Sequence, residues 1–212
     1  MLQERLGSPL SSLGLAVEAQ IDIIAATVRD GWRPLPARIE LRTGAEQATF
    51  LEAFVGARWE ELGHPCPRPT VELAAQYARS RRDAFDGSTA VLIHGDAHPA
   101  NILEIPQGSR STGSPSTTGF KLIDPDGMRS EPAHDLAIPL RDWTTELQAG
   151  DAVELGLAWC ERLSNRTDID PRAIWEWAFV ERVSTGLFLL QLGDARGAAF
   201  LDVAARWSGA YP

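Results

Sequence analysis

Residues 91–103 read VLIHGDAHPANIL, and residues 119–127 read GFKLIDPDG. The first stretch opens on a short apolar run with the character of a buried strand. It passes directly into a loop that crowds His94, Asp96, His98 and Asn101 into eight residues. NILEI, from Asn101, gives a second strand, and Phe120 to Ile123 a third that ends on Asp124. Polar side chains gathered at strand ends are where sites are commonly built.

The chemistry of these residues is specific. Asp96, in a loop just past a buried strand, can be held rigidly near a reacting hydroxyl and is a candidate general base. Asn101 offers a hard neutral oxygen and Asp124 a hard anionic one. Together they suit Mg²⁺, which keeps its remaining positions for water and phosphate oxygens. Hairpin pairing of NILEI with FKLID would bring Asn101 and Asp124 toward each other. A base beside a two-ligand magnesium site is the requirement of phosphoryl transfer, which needs an aligned hydroxyl and neutralised phosphate charge. A second reading takes His94, Asp96 and His98 as the H-x-D-x-H ligands of a metal-dependent hydrolase, since transition metals favour imidazole. His64 and His134 are isolated, so no second His pair follows at ligand spacing.

Outward from this centre the pattern is helical. Leu13, Val17, Ile21, Ile24 and Val28 predict a helix over 12–30, and Ala48, Leu51, Val55, Trp59 and Leu62 predict one over 45–62. A third covers 70–85. After His134, helices are expected at 134–148, 151–164, 171–192 and 195–208, the third of these apolar nearly all round and therefore buried. Trp175 and Trp177 belong to that core. Residues 106–119 form a Gly/Ser/Thr/Pro tract expected to be a flexible hairpin loop. The fold class is α+β, mostly α.

Composition narrows the function. With 212 residues and 44% hydrophobic content, the chain can bury a sizeable core. A formal net charge of −9 argues against nucleic acid and anionic membranes as partners and suits a cationic substrate. Cys66 and Cys160 give no disulfide framework, which points to a reducing cytoplasm. No signal-peptide pattern and no membrane-length apolar run are visible.

HGDAHPAN followed by LIDPDG resembles the catalytic segment of the aminoglycoside phosphotransferase family, antibiotic kinases with the protein-kinase-like fold. Protein kinases carry His-Arg-Asp-x-x-x-x-Asn and Asp-Phe-Gly; here Gly95 replaces the Arg, and Asp124-Pro125-Asp126 stands at the second motif. The context IDP.G…EP..DLA is similar to the streptomycin and hydroxyurea branch. The resemblance implies ATP and Mg²⁺ as cofactors, a small hydroxylated acceptor, Asp96 as catalytic base and His98 facing the transferring phosphate. It implies Asn101 and Asp124 as metal ligands, and Leu103 and Ile123 as the floor of the adenine pocket. His94 becomes a structural pin, and Asp135 a brace for the catalytic loop. The residues themselves also allow His98 a purely geometric role in the loop, and Asp135 an N-terminal helix role through the dipole. Asp126 and Glu131 are expected to be solvated.

The resemblance reaches the C-terminal lobe only. A kinase-like enzyme also needs a glycine-rich loop over the phosphates and a strand lysine. Neither is visible, and the single lysine, Lys121, lies three residues before Asp124. Residues 1–7 are similar to the hinge between lobes, and 8–212 to the helical lobe. The chain is therefore expected to be truncated and inactive alone, and to self-associate or dissolve poorly through the surface such a lobe would cover. A non-catalytic, substrate-binding lobe is the remaining alternative. The acceptor is not legible in Asp142, Glu146, Glu176 and Glu181.

Overall fold

The computed structural model describes residues 5–36, 38–106 and 118–210. Residues 1–4 of the hinge-like segment and 107–117 of the expected hairpin loop lie outside them. The architecture is mostly helical with two small sheets. In chain order come α1 (Val17–Gly31), β1 (Arg33–Pro34), α2 (Gly44–Glu61), α3 (Arg68–Asp83), β2 (Val91–Ile93), β3 (Ile102–Glu104), β4 (Phe120–Leu122) and β5 (Met128–Ser130). Then follow α4 (Pro132–Ala137), α5 (Thr144–Ala149), α6 (Ala152–Thr167), α7 (Pro171–Gln191) and α8 (Gly197–Trp207).

The helices begin where local chemistry satisfies their orphan N–H groups. Thr43 and Glu46 form a reciprocal capping box at the head of α2. The Asp151 carboxylate accepts from the N–H groups of Val153 and Glu154, and Asp170 accepts from Arg172 with Pro171 in the first turn. α7 is the axle of the fold. It is buried without a break from Ala173 to Val183, as its sequence predicts, and packs against α2, α3, α4, α6 and α8. Trp175, Trp177 and Phe179 are fully buried there. Each such side chain stabilises the fold by about 1.5–3 kcal/mol or more through loss of apolar surface to water. α8 lies close on α7 because both carry glycine at the crossing. A Cβ on Gly197 would sit 2.4 Å from the Gly186 carbonyl oxygen.

The strands form an antiparallel sheet in the order β1-β2-β5 and a hairpin β3-β4. The hairpin register is Ile102↔Leu122, Leu103↔Lys121 and Glu104↔Phe120. Gly7 to Pro9 runs along the outer edge of β3: Gly7 N–H donates to the Glu104 carbonyl at 2.8 Å and Glu104 N–H to Ser8 at 3.0 Å.

Several sequence expectations need correction. The first helix starts at Val17, because a 3-10 turn at Leu10–Ser12 and left-handed Gly14 intervene. The helix expected over 134–148 is broken into α4, a 3-10 turn at Ile138–Arg141, and α5. Pro139 has no N–H to continue the ladder, and Trp143 takes a positive φ of 27°. The third strand stops at Leu122, one residue short of Ile123. β1 and β5 were not expected, since neither Arg33–Pro34 nor Met128–Ser130 reads as an apolar run. Among the described residues, no helix is long and apolar enough to cross a membrane.

Candidate active site

The site is a loop held between the two sheets. β2 ends at Ile93, and the chain turns through Gly95 at φ +86°. His98 N–H donates to the Asp96 carbonyl at 2.9 Å, and a 3-10 turn over Pro99–Asn101 leads into β3. The Gly95 conformation is one that side chains rarely tolerate. A Cβ there would also meet Met128 Cε at 2.9 Å and Asp126 Cβ at 3.1 Å. Gly95→Ala is expected to cost about 1–3 kcal/mol, read as a lowered melting temperature; an unchanged melt would show that the turn is not as constrained as described.

Asp135 fixes this loop from below. It is 1% exposed. Its Oδ2 accepts from His94 N–H at 2.9 Å and from Trp32 Nε1 at 3.0 Å, and its Oδ1 accepts from Gly95 N–H at 2.8 Å. His94 ties the loop sideways. Its Nδ1 accepts from Asp96 N–H at 3.3 Å, and its Nε2 lies 2.9 Å from the Ile123 carbonyl. Because a carbonyl can only accept, the ring proton sits on Nε2. Both nitrogens of His94 are thus engaged by backbone, which removes it from the H-x-D-x-H ligand set. Among the described residues, no three His, Cys, Asp or Glu side chains gather in a metal-holding cluster.

Asp96 is partly buried and surrounded by donors. Asn101 Nδ2 donates to its Oδ2 at 3.1 Å and to its carbonyl at 3.0 Å. His98 Nε2 lies 3.4 Å from Oδ2, and Arg141 pairs with Oδ1. Burial pushes the carboxyl upward, but the His98 contact and the Arg141 charge outweigh it and hold the pKa down to about 2. His98 also accepts from Ala100 N–H at 3.3 Å, so it shapes the loop as well as touching Asp96.

The depressed Asp96 pKa has a sign that can be checked. A carboxylate with a lowered folded-state pKa stabilises the protein fully above its ordinary value of 3.8, and that contribution is lost as pH falls toward about 2. The contribution is on the order of 1 kcal/mol, because the carboxylate is partly screened by water. The difference in urea midpoint between the wild type and Asp96→Asn should therefore close across this acid window. A difference that persists unchanged there would contradict the pairing.

The hairpin places Asp124 one residue past the strand position opposite Asn101. Ile123 N–H donates to the Asn101 carbonyl at 2.9 Å, which extends the β3-β4 ladder by one step and leaves Asp124 immediately beyond it. Asp124 is exposed and left-handed, with φ 58°. Ile102 and Leu122 face the core. Strand alternation then turns Asn101, Leu103, Lys121 and Ile123 to the opposite face. Ile123 is 36% exposed, and Leu103 is partly buried.

Three further residues are brought to this centre by tertiary packing. Arg141 comes from the 3-10 turn that breaks the expected helix. Glu181, on α7, places Oε2 3.6 Å from Arg141 and Oε1 3.0 Å from His134 Nε2. The His134 ring stacks on Trp177 with centroids 3.9 Å apart. Burial would raise the Glu181 carboxyl, but the His134 hydrogen bond and the Arg141 charge lower it. Trp32, from the loop after α1, is the third. Glu131 is not solvated as expected: it accepts from Trp177 Nε1 at 2.8 Å and pairs with Arg81 at 3.4 Å. Glu176 and Glu181 are buried, 2% and 6% exposed, so neither is an open acceptor-facing acid.

No family model matches the sequence, and no curated protein matches it. Among solved structures, the chain is similar to the aminoglycoside phosphotransferase APH(3'')-Id from Streptomyces rimosus, determined in complex with ADP and streptomycin. The TM-score is 0.55 at 17% sequence identity, over 84% of this chain and 67% of that one. The likeness is one of fold, and it agrees with the kinase-like resemblance of the two motifs.

Proposed function

We propose that residues 8–212 are the helical lobe of an ATP-dependent phosphotransferase that phosphorylates a hydroxyl of a small molecule. Aminoglycosides such as streptomycin are the first acceptors to test. The observation that carries this reading is the Asp96 carboxylate, held by Arg141 and Asn101 in the loop that leads into the β3-β4 hairpin. The fold shared with a structure that holds ADP and streptomycin supports it.

In this reading Asp96 orients the acceptor hydroxyl and takes its proton. A carboxylate with a pKa near 2 is a weak base toward a resting alcohol. The proton passes to it as the new P–O bond develops, in keeping with the loose transition state of phosphoryl transfer. The oxygens of Asn101 and Asp124 are a donor set suited to Mg²⁺, since both Asn101 Nδ2 contacts go to Asp96 and leave its amide oxygen for a metal. When bound, Mg²⁺ supplies neutralisation of phosphate charge. Leu103 and Ile123 would lie under the adenine, on the face they share with Asn101. His98 would approach the phosphate, and His94 and Asp135 support the loop.

The test is transfer of label from [γ-³²P]ATP with Mg²⁺ to streptomycin and other hydroxylated compounds, alongside calorimetry of Mg-ATP. Labelled acceptor is the expected result. Streptomycin binding without any Mg-ATP binding would instead favour a non-catalytic lobe.

A further inference from the structure

We infer that Glu181 and Arg182 of α7 are positioning residues: together they hold the turn that carries Arg141, and through Arg141 they set where the Asp96 carboxylate points. The inference rests on Asp96 being the transfer site and adds the residues that aim it.

The two residues divide the work between side chain and main chain. Arg141 lies between two carboxylates: Nη2 pairs with Asp96, and Nη1 lies 3.6 Å from Glu181 Oε2. Arg182 takes the backbone. Its Nη2 donates to the Leu140 carbonyl and, at 3.2 Å, to the Asp142 carbonyl, the two that flank Arg141 in sequence. Its Nη1 donates to Thr144 Oγ1 at 3.0 Å. The break between α4 and α5 leaves these carbonyls outside a continuous helical ladder, and the buried guanidinium satisfies them. Consecutive residues of one helix therefore fix Arg141 at its guanidinium and at its main chain.

Glu181 is itself held in place. Its Oε1 accepts from His134 Nε2 at 3.0 Å, and the fully buried His134 ring stacks on Trp177, one turn earlier on α7. One carboxylate oxygen is thus occupied, which leaves the other for Arg141. The chain of contacts runs from Trp177 through His134, Glu181 and Arg141 to Asp96 without a gap that water would have to fill.

The cost of burial points the same way. Arg182 is fully buried, and Glu181 is almost so. Burial pulls the Arg182 pKa down to about 9. The rings of Trp207 and Phe200, 4.9 Å and 5.4 Å from its guanidinium, offset only part of that penalty. Apolar side chains of similar volume would pack this core at least as well. Charges kept here, with their hydrogen bonds directed at one turn, are accounted for by what that turn carries. Alignment matters at this scale, since a displacement near 1 Å at a reacting group lowers a rate by about 10²-fold.

The test compares Glu181→Gln with Glu176→Gln in the full chain. Gln at 181 keeps the shape and can still accept from His134, but its amide NH₂ faces the donors of Arg141. Glu176 is an equally buried acid on the same helix, paired instead with Arg81 at 2.7 Å and Arg172 at 3.1 Å. Glu181→Gln should lower the single-turnover rate of transfer to streptomycin about tenfold to a hundredfold, with Mg-ATP affinity unchanged by calorimetry. Glu176→Gln should lower the melting temperature and leave that rate at the wild-type value. A wild-type rate in Glu181→Gln would overturn the inference. Equal rate losses in the two variants would also overturn it, because a general loosening of α7 would then explain both. A second measurement needs no turnover. In ¹⁵N-labelled wild type, the Arg141 Nε–H should show a ¹H–¹⁵N NOE as high as the backbone, unlike that of the exposed Arg196. A mobile Arg141 would overturn the inference whatever the rates. If the wild type transfers no label while Arg141 is rigid and is released in Glu181→Gln, the positioning assignment stands and the transfer reading fails.

Discussion

Asp96→Asn is expected to lower the rate of phosphate transfer by about 10²–10⁴ while Mg-ATP binding stays near the wild-type level. The substitution preserves shape. The Asn101 amide can still donate to the new side-chain oxygen, and the loop keeps its backbone bonds to Asp135. What disappears is the negative charge that holds Arg141 and receives the hydroxyl proton. Single-turnover transfer separates this from a binding defect, because the missing function belongs to the chemical step. Equal rates in the two proteins would end the assignment of Asp96 as the base.

Asp135→Ala should produce the largest loss of stability. Three donors converge on this carboxylate: two backbone N–H groups of the loop and the Trp32 indole. Removing it leaves the two backbone donors unsatisfied in the interior, and each costs about 1–3 kcal/mol. A total of about 3–5 kcal/mol is expected, a large part of the roughly 5–15 kcal/mol that holds an ordinary domain. Asp135→Asn should recover little, since its amide NH₂ would face another donor. Trp32→Phe removes one donor only and should cost about 1 kcal/mol. Urea midpoints for the three variants give the series. A loss below about 1 kcal/mol in Asp135→Ala would mean that the loop does not depend on this anchor.

The loop and the residues it gathers were legible because they are local. His94, Asp96, His98 and Asn101 lie within eight residues, and Asp124 follows on a strand whose pairing the apolar pattern suggests. The residues that complete the arrangement were not, because tertiary packing alone brings them in. Arg141 is 45 positions from Asp96, and Trp32 is 103 from Asp135. Glu181 sits inside a helix whose sequence announces burial but not what its one acid beneath Arg141 is for. A signal for Arg141 did exist: Pro139 could have ended the expected helix, and the broken turn is what returns Arg141 to the loop. The strands β1 and β5 had none, because Arg33–Pro34 and Met128–Ser130 lack the apolar runs that marked the other strands.

Lys121 lies opposite Leu103 in the hairpin, on the face shared by Asn101 and Ile123. It is the chain's single lysine. An amine-directed reagent therefore has one side-chain target, which sits on the hairpin face proposed to carry the nucleotide. Mass spectrometry of modified and unmodified peptide then turns occupancy of that surface into a footprint, with no engineered label and no need for turnover.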